Sequence, residues 1–303
     1  METTSTTGGA LRIRRMLVPL DGSALAERAL PLAVSVARAT QASVTLARVI
    51  QASAWGGPRL GDLIAPQVIT EMLEDEAREA RRYLDGVANR LRTRQIAAVS
   101  TIILYGEPGA ALLEAERTAQ ADLVVMATHG RTGLGRATMG SVADHMLRKG
   151  QAPVLLARTA GEQQEEVSLA HALIPLDGSA LAEEALTAIP ALAGALIGRL
   201  TLAQVVNLEA LAGEAEEAQC YLSEVRGRLT RSLRGAVAEI ATVVLYGEAP
   251  EQIVSRAARG GCDVIVMATH GRGGLSRVAF GSTADAVLRA AEMPILLMRA
   301  RRE

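Results

Sequence analysis

The sequence predicts an α/β fold: two doubly wound, five-stranded parallel-sheet domains of the Rossmann-like type, in tandem on one chain. Three observations predict it. The chain repeats itself: Met126-Ala127-Thr128-His129-Gly130-Arg131 at the start of one motif returns as Met267-Ala268-Thr269-His270-Gly271-Arg272. Short β-branched apolar runs alternate with longer segments of helical period. The strands are nearly continuous hydrophobic runs, which marks a parallel sheet covered by helices on both faces.

The repeat extends well beyond that motif. Val18-Pro19-Leu20-Asp21-Gly22-Ser23 returns as Ile174-Pro175-Leu176-Asp177-Gly178-Ser179, and Leu104-Tyr105-Gly106-Glu107 as Leu245-Tyr246-Gly247-Glu248. The offset is 156 residues from Asp21 to Asp177 but 141 from Gly140 to Gly281, so the second copy is shorter in between. The missing length falls at residues 51–70, where Gly56, Gly57, Pro58, Gly61 and Pro66 spell a loop. A repeat of this length is a whole domain rather than a solenoid unit. The expected division is a disordered tail at 1–10, a first domain at 11–158, a linker at 159–167 and a second domain at 168–303.

Taken in order, strands are expected near 13–20, 43–50, 98–105, 122–128 and 153–158. Helices are expected near 23–39, 68–94, 108–120 and 141–149. Pro31 falls inside the first helix and should kink it. The helix over 68–94 follows from one apolar stripe, Ile69, Met72, Leu73, Ala77, Ala80, Leu84, Val87 and Leu91, opposite Glu71, Asp75, Glu79 and Arg82. The second domain repeats the order with strands near 170–176, 200–206, 239–246, 263–268 and 294–298. In such a sheet the strand order reverses between strands one and four, and ligands bind beyond the strand ends at that point. Those strands end in Pro19-Leu20-Asp21 and in Ala127-Thr128-His129-Gly130.

Composition narrows the function. The formal net charge of −1 gives no electrostatic basis for binding nucleic acid or an anionic membrane. The longest uncharged apolar run, Ala185 to Ile197, is too short to span a bilayer, and no signal peptide is expected. Cys220 and Cys262 stand in non-equivalent places and read as packing residues of a reduced, cytoplasmic protein. The single lysine, Lys149, lies between Arg148 and Gly150, so no Walker A loop exists.

The motif residues carry the chemistry. Gly130 precedes Gly140-Ser141 as Gly271 precedes Gly281-Ser282. A glycine-rich loop opening a helix presents backbone N–H groups to phosphate, and Ser141 can add its hydroxyl and cap the helix. Asp21 and Asp177 can accept from a ribose hydroxyl or an adenine amine while Asp-Gly makes the turn. His129 and His270 have no nucleophile, carboxylate or second histidine nearby in sequence, so they read as phosphate-side or structural groups. Arg131, Arg136, Arg272 and Arg277 could neutralise phosphate. No catalytic residue and no metal ligand is expected.

In these motifs the chain resembles the universal stress protein family, twice over. The resemblance implies ATP as ligand, with AMP as the alternative and Mg²⁺ carried on the phosphates. The family's Gly-x-x-Gly-x9-Gly-Ser signature falls on 127, 130, 140 and 141, with Ala127 and Ala268 in place of the first glycine. By resemblance the nucleotide site comprises Pro19, Asp21, Val49, Met126, Ala127, Gly130, Gly140 and Ser141, and again Pro175, Asp177, Val205, Met267, Ala268, Gly271, Gly281 and Ser282. Asp21 and Val49 would hold the adenosine end and the glycines and serine the phosphates. The family also pairs domains through the last strand, here Pro153 to Ala157 and Pro294 to Met298. That implies an intrachain pseudo-dimer and leaves room for a homodimer. Two rivals stand beside a nucleotide-binding regulator: a nucleotide-cleaving enzyme on the same architecture, and an interaction scaffold whose sites are empty.

Overall fold

The computed structural model describes residues 11–51, 66–96, 98–128, 139–158, 167–208, 212–269 and 281–299. The first half runs β1 (Arg15–Pro19), α1 (Ala24–Glu27), α2 (Ala29–Thr40), β2 (Ser43–Ile50), α3 (Pro66–Thr93) and β3 (Val99–Tyr105). It continues through α4 (Pro108–Thr118), β4 (Leu123–Ala127), α5 (Ser141–Lys149) and β5 (Val154–Ala157). The second half runs β6 (His171–Pro175), α6 (Ala180–Glu183), a 3₁₀ turn (Glu184–Ala188), α7 (Ile189–Leu192), β7 (Arg199–Val206) and α8 (Ala212–Leu233). It closes with β8 (Glu239–Tyr246), α9 (Ala249–Arg259), β9 (Val264–Thr269), α10 (Ser282–Ala290) and β10 (Ile295–Arg299).

Among the described residues ten strands form one sheet in the order β3-β2-β1-β4-β5-β10-β9-β6-β7-β8. Within each half the strands are parallel and the order reverses between strands one and four, β1 with β4 and β6 with β9. The halves meet where β5 pairs antiparallel with β10, Leu156 facing Ile295 and Val154 facing Leu297. The seam is apolar: Leu155, Leu156, Ile295, Leu296 and Leu297 are all buried.

The pairing leaves the two helical layers continuous across the molecule. One layer packs α2, α3 and their counterparts on Met16, Val18, Leu46 and Ile174; the other packs α4, α5, α9 and α10 on Leu17, Val124, Leu156 and Leu297. Two arginines cross the seam reciprocally. Arg158, just after β5, donates to the Leu288 carbonyl at 2.6 Å, and Arg299, ending β10, donates to the Arg148 carbonyl at 3.0 Å. Each thus places a cation on the C-terminal end of the other half's helix, where the helix dipole is negative.

One helical expectation is sharpened and another corrected. The helix over 23–39 is interrupted at Arg28, three residues ahead of Pro31, which places Pro31 in the first turn of α2, where its missing N–H leaves no intrahelical bond unmade. The stripe on α3 is buried only from Ala80 onward; Val68 and Met72 are exposed. A helix of 28 residues is about 42 Å long, against about 26 Å for β2, so its first turns project past the sheet.

Candidate functional site

β1 and β4 are neighbours, yet the chain leaves them for opposite layers: α1 and α2 on one face, α5 on the other. The strand ends are therefore parted, and a cavity of about 340 Å³ fills the crevice, a size suited to a small molecule. Pro19, Asp21, Val49, Met126, Ala127, Gly140 and Ser141 all line it. Gln51 and Thr128 continue the strand ends, while Glu76, Pro108 and Leu112 contribute wall that sequence reasoning missed, because helices α3 and α4 arrive there only through the tertiary fold.

The turn after β1 is built by its sequence. Gly22 sits at φ 86° and Gly178 at φ 83°, left-handed positions that favour glycine. The Asp21 carboxylate accepts the Ser23 N–H at 2.8 Å, and Ser23 Oγ accepts the Ala26 N–H at 3.1 Å to cap α1. Asp177 and Ser179 repeat both bonds. α1 is then tied to the long helix: Glu27 accepts from the Tyr83 hydroxyl at 2.9 Å and from Arg90 at 2.8 Å. Glu183, Tyr221 and Arg228 repeat that triad at 3.1 and 2.7 Å. Burial first, and then the glutamate, push both tyrosine hydroxyls well above their usual range, so they stay protonated donors. The triad holds the Asp-Gly-Ser turn at the crevice; its signal in the sequence was the repeat of Ala-Leu-Ala-Glu.

The opposite wall is the start of α5. Gly140 is the cap residue, extended at φ −62°, ψ 147°, with no side-chain cap bond. Ser141 is the first helical residue and not the cap, and Ser282 stands likewise after Gly281. The Gly140 N–H is spent on the Thr128 carbonyl at 2.8 Å, and the first helical bond runs from the Asp144 N–H to the Gly140 carbonyl at 2.9 Å. The N–H groups of Ser141, Val142 and Ala143 are therefore the first-turn donors of a helix whose start lines the cavity, an arrangement that favours negative charge. Gly130, Gly271, the two loop histidines and the four loop arginines lie outside the described residues.

In the second half, Pro175 ends β6, Val205 lies near the end of β7, Met267 and Ala268 lie near the end of β9, and Gly281-Ser282 open α10. The layout matches; the enclosure differs. Asp21 is half-buried and Asp177 exposed.

Outside the crevice, Cys262 is buried as expected, but Cys220 is exposed on α8 rather than packed, since its helix position faces outward. Cys262 Sγ lies 3.7 Å from His171 Nε2, which is 2.9 Å from Thr201 Oγ1. Burial raises the thiol and lowers the imidazole, so both are held neutral, the reverse of an activated thiolate pair. Among the described residues no group of three or more His, Cys, Asp or Glu side chains could hold a metal, and no helix is long and apolar enough to cross a membrane.

A tandem doubly wound α/β protein with a motif-lined crevice at the switch point is the class these observations define. The model of the universal stress protein family matches residues 12–158 and again 169–299, so the chain belongs to that family, with two copies of its domain. A universal stress protein of Methanocaldococcus jannaschii is 30% identical over 146 residues, 48% of this chain and 82% of that protein. One from Mycobacterium tuberculosis (strain H37Rv) is 25% identical over 298 residues, covering 94% of this chain and 96% of the relative. The crystal structure of a universal stress protein from Archaeoglobus fulgidus superposes with a TM-score of 0.72 at 19% identity, over 94% of this chain and 98% of that one. This last likeness is one of fold.

Proposed function

We propose that the chain is an adenine-nucleotide-binding regulatory protein of the stress response, built of domains at 11–158 and 168–303. In this reading ATP lies across the β1–β4 crevice, with AMP as the alternative occupant. Asp21 and Val49 hold the adenosine end, and the α5 N-terminus with Gly130, Gly140 and Ser141 holds the phosphates. Mg²⁺, where present, rides on the phosphates. Pro175, Asp177, Val205, Met267, Ala268, Gly271, Gly281 and Ser282 form the second site.

The observation that carries this reading is the cavity itself. Residues 19–21, 49, 126–128 and 140–143, far apart in sequence, meet around one space, and that space ends on the N-terminus of α5, where a phosphate is favoured. The protein is read as cytoplasmic and as a binder rather than an enzyme, with any ATP hydrolysis slow, since fast transfer needs a base and charge clamps aimed at the γ-phosphate. Joining of two whole chains into a homodimer belongs to the same reading.

The exposure of Asp177 favours one refinement: the two sites bind unequally, the first more tightly. The test is to denature gently purified protein and quantify the nucleotide released per chain, then titrate the emptied protein with ATP and Mg²⁺. Retained adenine nucleotide, or two unequal binding steps, is the expected result. No nucleotide and no binding would overturn the reading and leave an interaction scaffold.

A further inference from the structure

We propose that Glu76 is a specificity-determining residue of the first crevice, selecting a ligand whose nucleoside end brings a hydrogen-bond donor to it. The proposal rests on the nucleotide reading above and sharpens it. Glu76 lies on α3 and is one of the residues that line the cavity, together with Asp21 and Gln51. Its Oε2 oxygen is buried and has no hydrogen-bond partner among the described residues. A buried acceptor left without a donor is disfavoured, so a ligand group that donates to it is favoured there.

The chemistry of the wall says which part of the ligand that is. The described wall holds two carboxylates, Asp21 and Glu76, and no lysine, arginine or histidine. A phosphate would be repelled by Glu76, whereas the amides of Ser141, Val142 and Ala143 receive it at the other wall. An uncharged group with N–H or O–H therefore faces Glu76. On an adenine nucleotide two groups qualify: the ribose hydroxyls and the exocyclic amine. Such a contact discriminates strongly, because an analogue lacking the donor leaves the buried oxygen unpaired. The second half does not reproduce this arrangement: seven residues before the triad tyrosine, where Glu76 precedes Tyr83, Glu214 precedes Tyr221 and is exposed.

The test uses the full chain carrying Ser282→Asp, which sets a negative charge at the second site's helix start and leaves only the first site to titrate. ATP, 2′,3′-dideoxy-ATP and inosine triphosphate are each titrated calorimetrically into this protein and into the same protein with Glu76→Ala. One analogue is expected to bind the parent about tenfold or more weaker than ATP. In the Glu76→Ala protein ATP should fall to that analogue's level while the analogue itself does not move. Weak dideoxy binding would assign the contact to the ribose, and weak inosine binding to the amine. Equal binding of all three ligands to the parent overturns the proposal, as does a Glu76→Ala protein that loses all three alike or keeps its discrimination. A parent that binds none of them, Ser282→Asp or not, overturns the nucleotide reading itself.

Discussion

Position 109 of the first half is glycine, and position 250, its equivalent in the second, is proline. The reason lies one helix away. A Cβ on Gly109 would stand 2.6 Å from His145 Cγ, whereas the second half carries Ala286 where His145 stands. The same exchange recurs below it. Glu116, buried on α4, accepts the N–H groups of Gln151 at 2.5 Å and Ala152 at 2.6 Å, and a Cβ on Gly150 would meet its Oε2 at 2.7 Å. The second half has Ala257 for the glutamate and Ala291 for the glycine. One fold is filled twice, and neighbours change together: close packing makes each side chain a condition on the next. The crevice differs in the same manner. The second half leaves Glu214 and Asp177 exposed where the first half-buries Glu76 and Asp21.

The largest effect should come from the site. Ser141→Asp puts a carboxylate among the amides assigned to phosphate, and it should weaken the tighter ATP step about a hundredfold, near 3 kcal/mol. Calorimetry would show the weaker step unchanged, and Ser282→Asp should do the converse. Loss of the weaker step by Ser141→Asp would reverse the ranking of the two halves.

Next comes the buried glutamate. Glu116→Ala strands the two amides leading into β5 and should lower stability by about 2–3 kcal/mol, read from the denaturant midpoint. Ala257→Glu, in a half whose loop has Ala291, should be destabilising rather than a gain. Gly109→Ala follows at about 1–2 kcal/mol by overpacking, with the double variant Gly109→Ala/His145→Ala recovering most of the loss. A double variant as unstable as the single one would mean the clash is not with His145.

The smallest effect is a pH slope. His171 is buried beside Cys262, Asp263, Arg199 and Arg256, and burial first, then Arg199, hold its imidazole below the ordinary value. The unfolded chain takes up its proton at about 6.5, before the native state does. Stability from the neutral ring is therefore full above that pH and falls as the pH drops from there toward the native value. His171→Gln should flatten the decline in urea midpoint between pH 7 and pH 5, and Arg15, at the equivalent place in β1, should leave the first half without this term.

Much of this layout can be read from the sequence. The strands are visible because burial on both faces leaves runs such as Leu123-Val124-Val125-Met126 with no polar alternation. The crevice is visible because a glycine, an aspartate and a serine recur at strand ends in both halves. What the sequence hides depends on contacts between distant segments. Ser141 reads as a cap until Gly140 is seen extended in front of it. Glu76 reads as one more charge on a solvated helix until α3 is placed over the end of β2. Tyr83 and Glu27 are 56 residues apart, and nothing local pairs them.

The central claim is that an adenine nucleotide lies in the β1–β4 crevice with its phosphates on the start of α5. The most direct test follows the backbone amide resonances of the full chain as ATP and Mg²⁺ are added. The account predicts that Ser141, Val142 and Ala143 shift early and together with Asp21 and Val49, ahead of Ser282 and its neighbours. Binding that leaves the amides of 141–143 in place would contradict it.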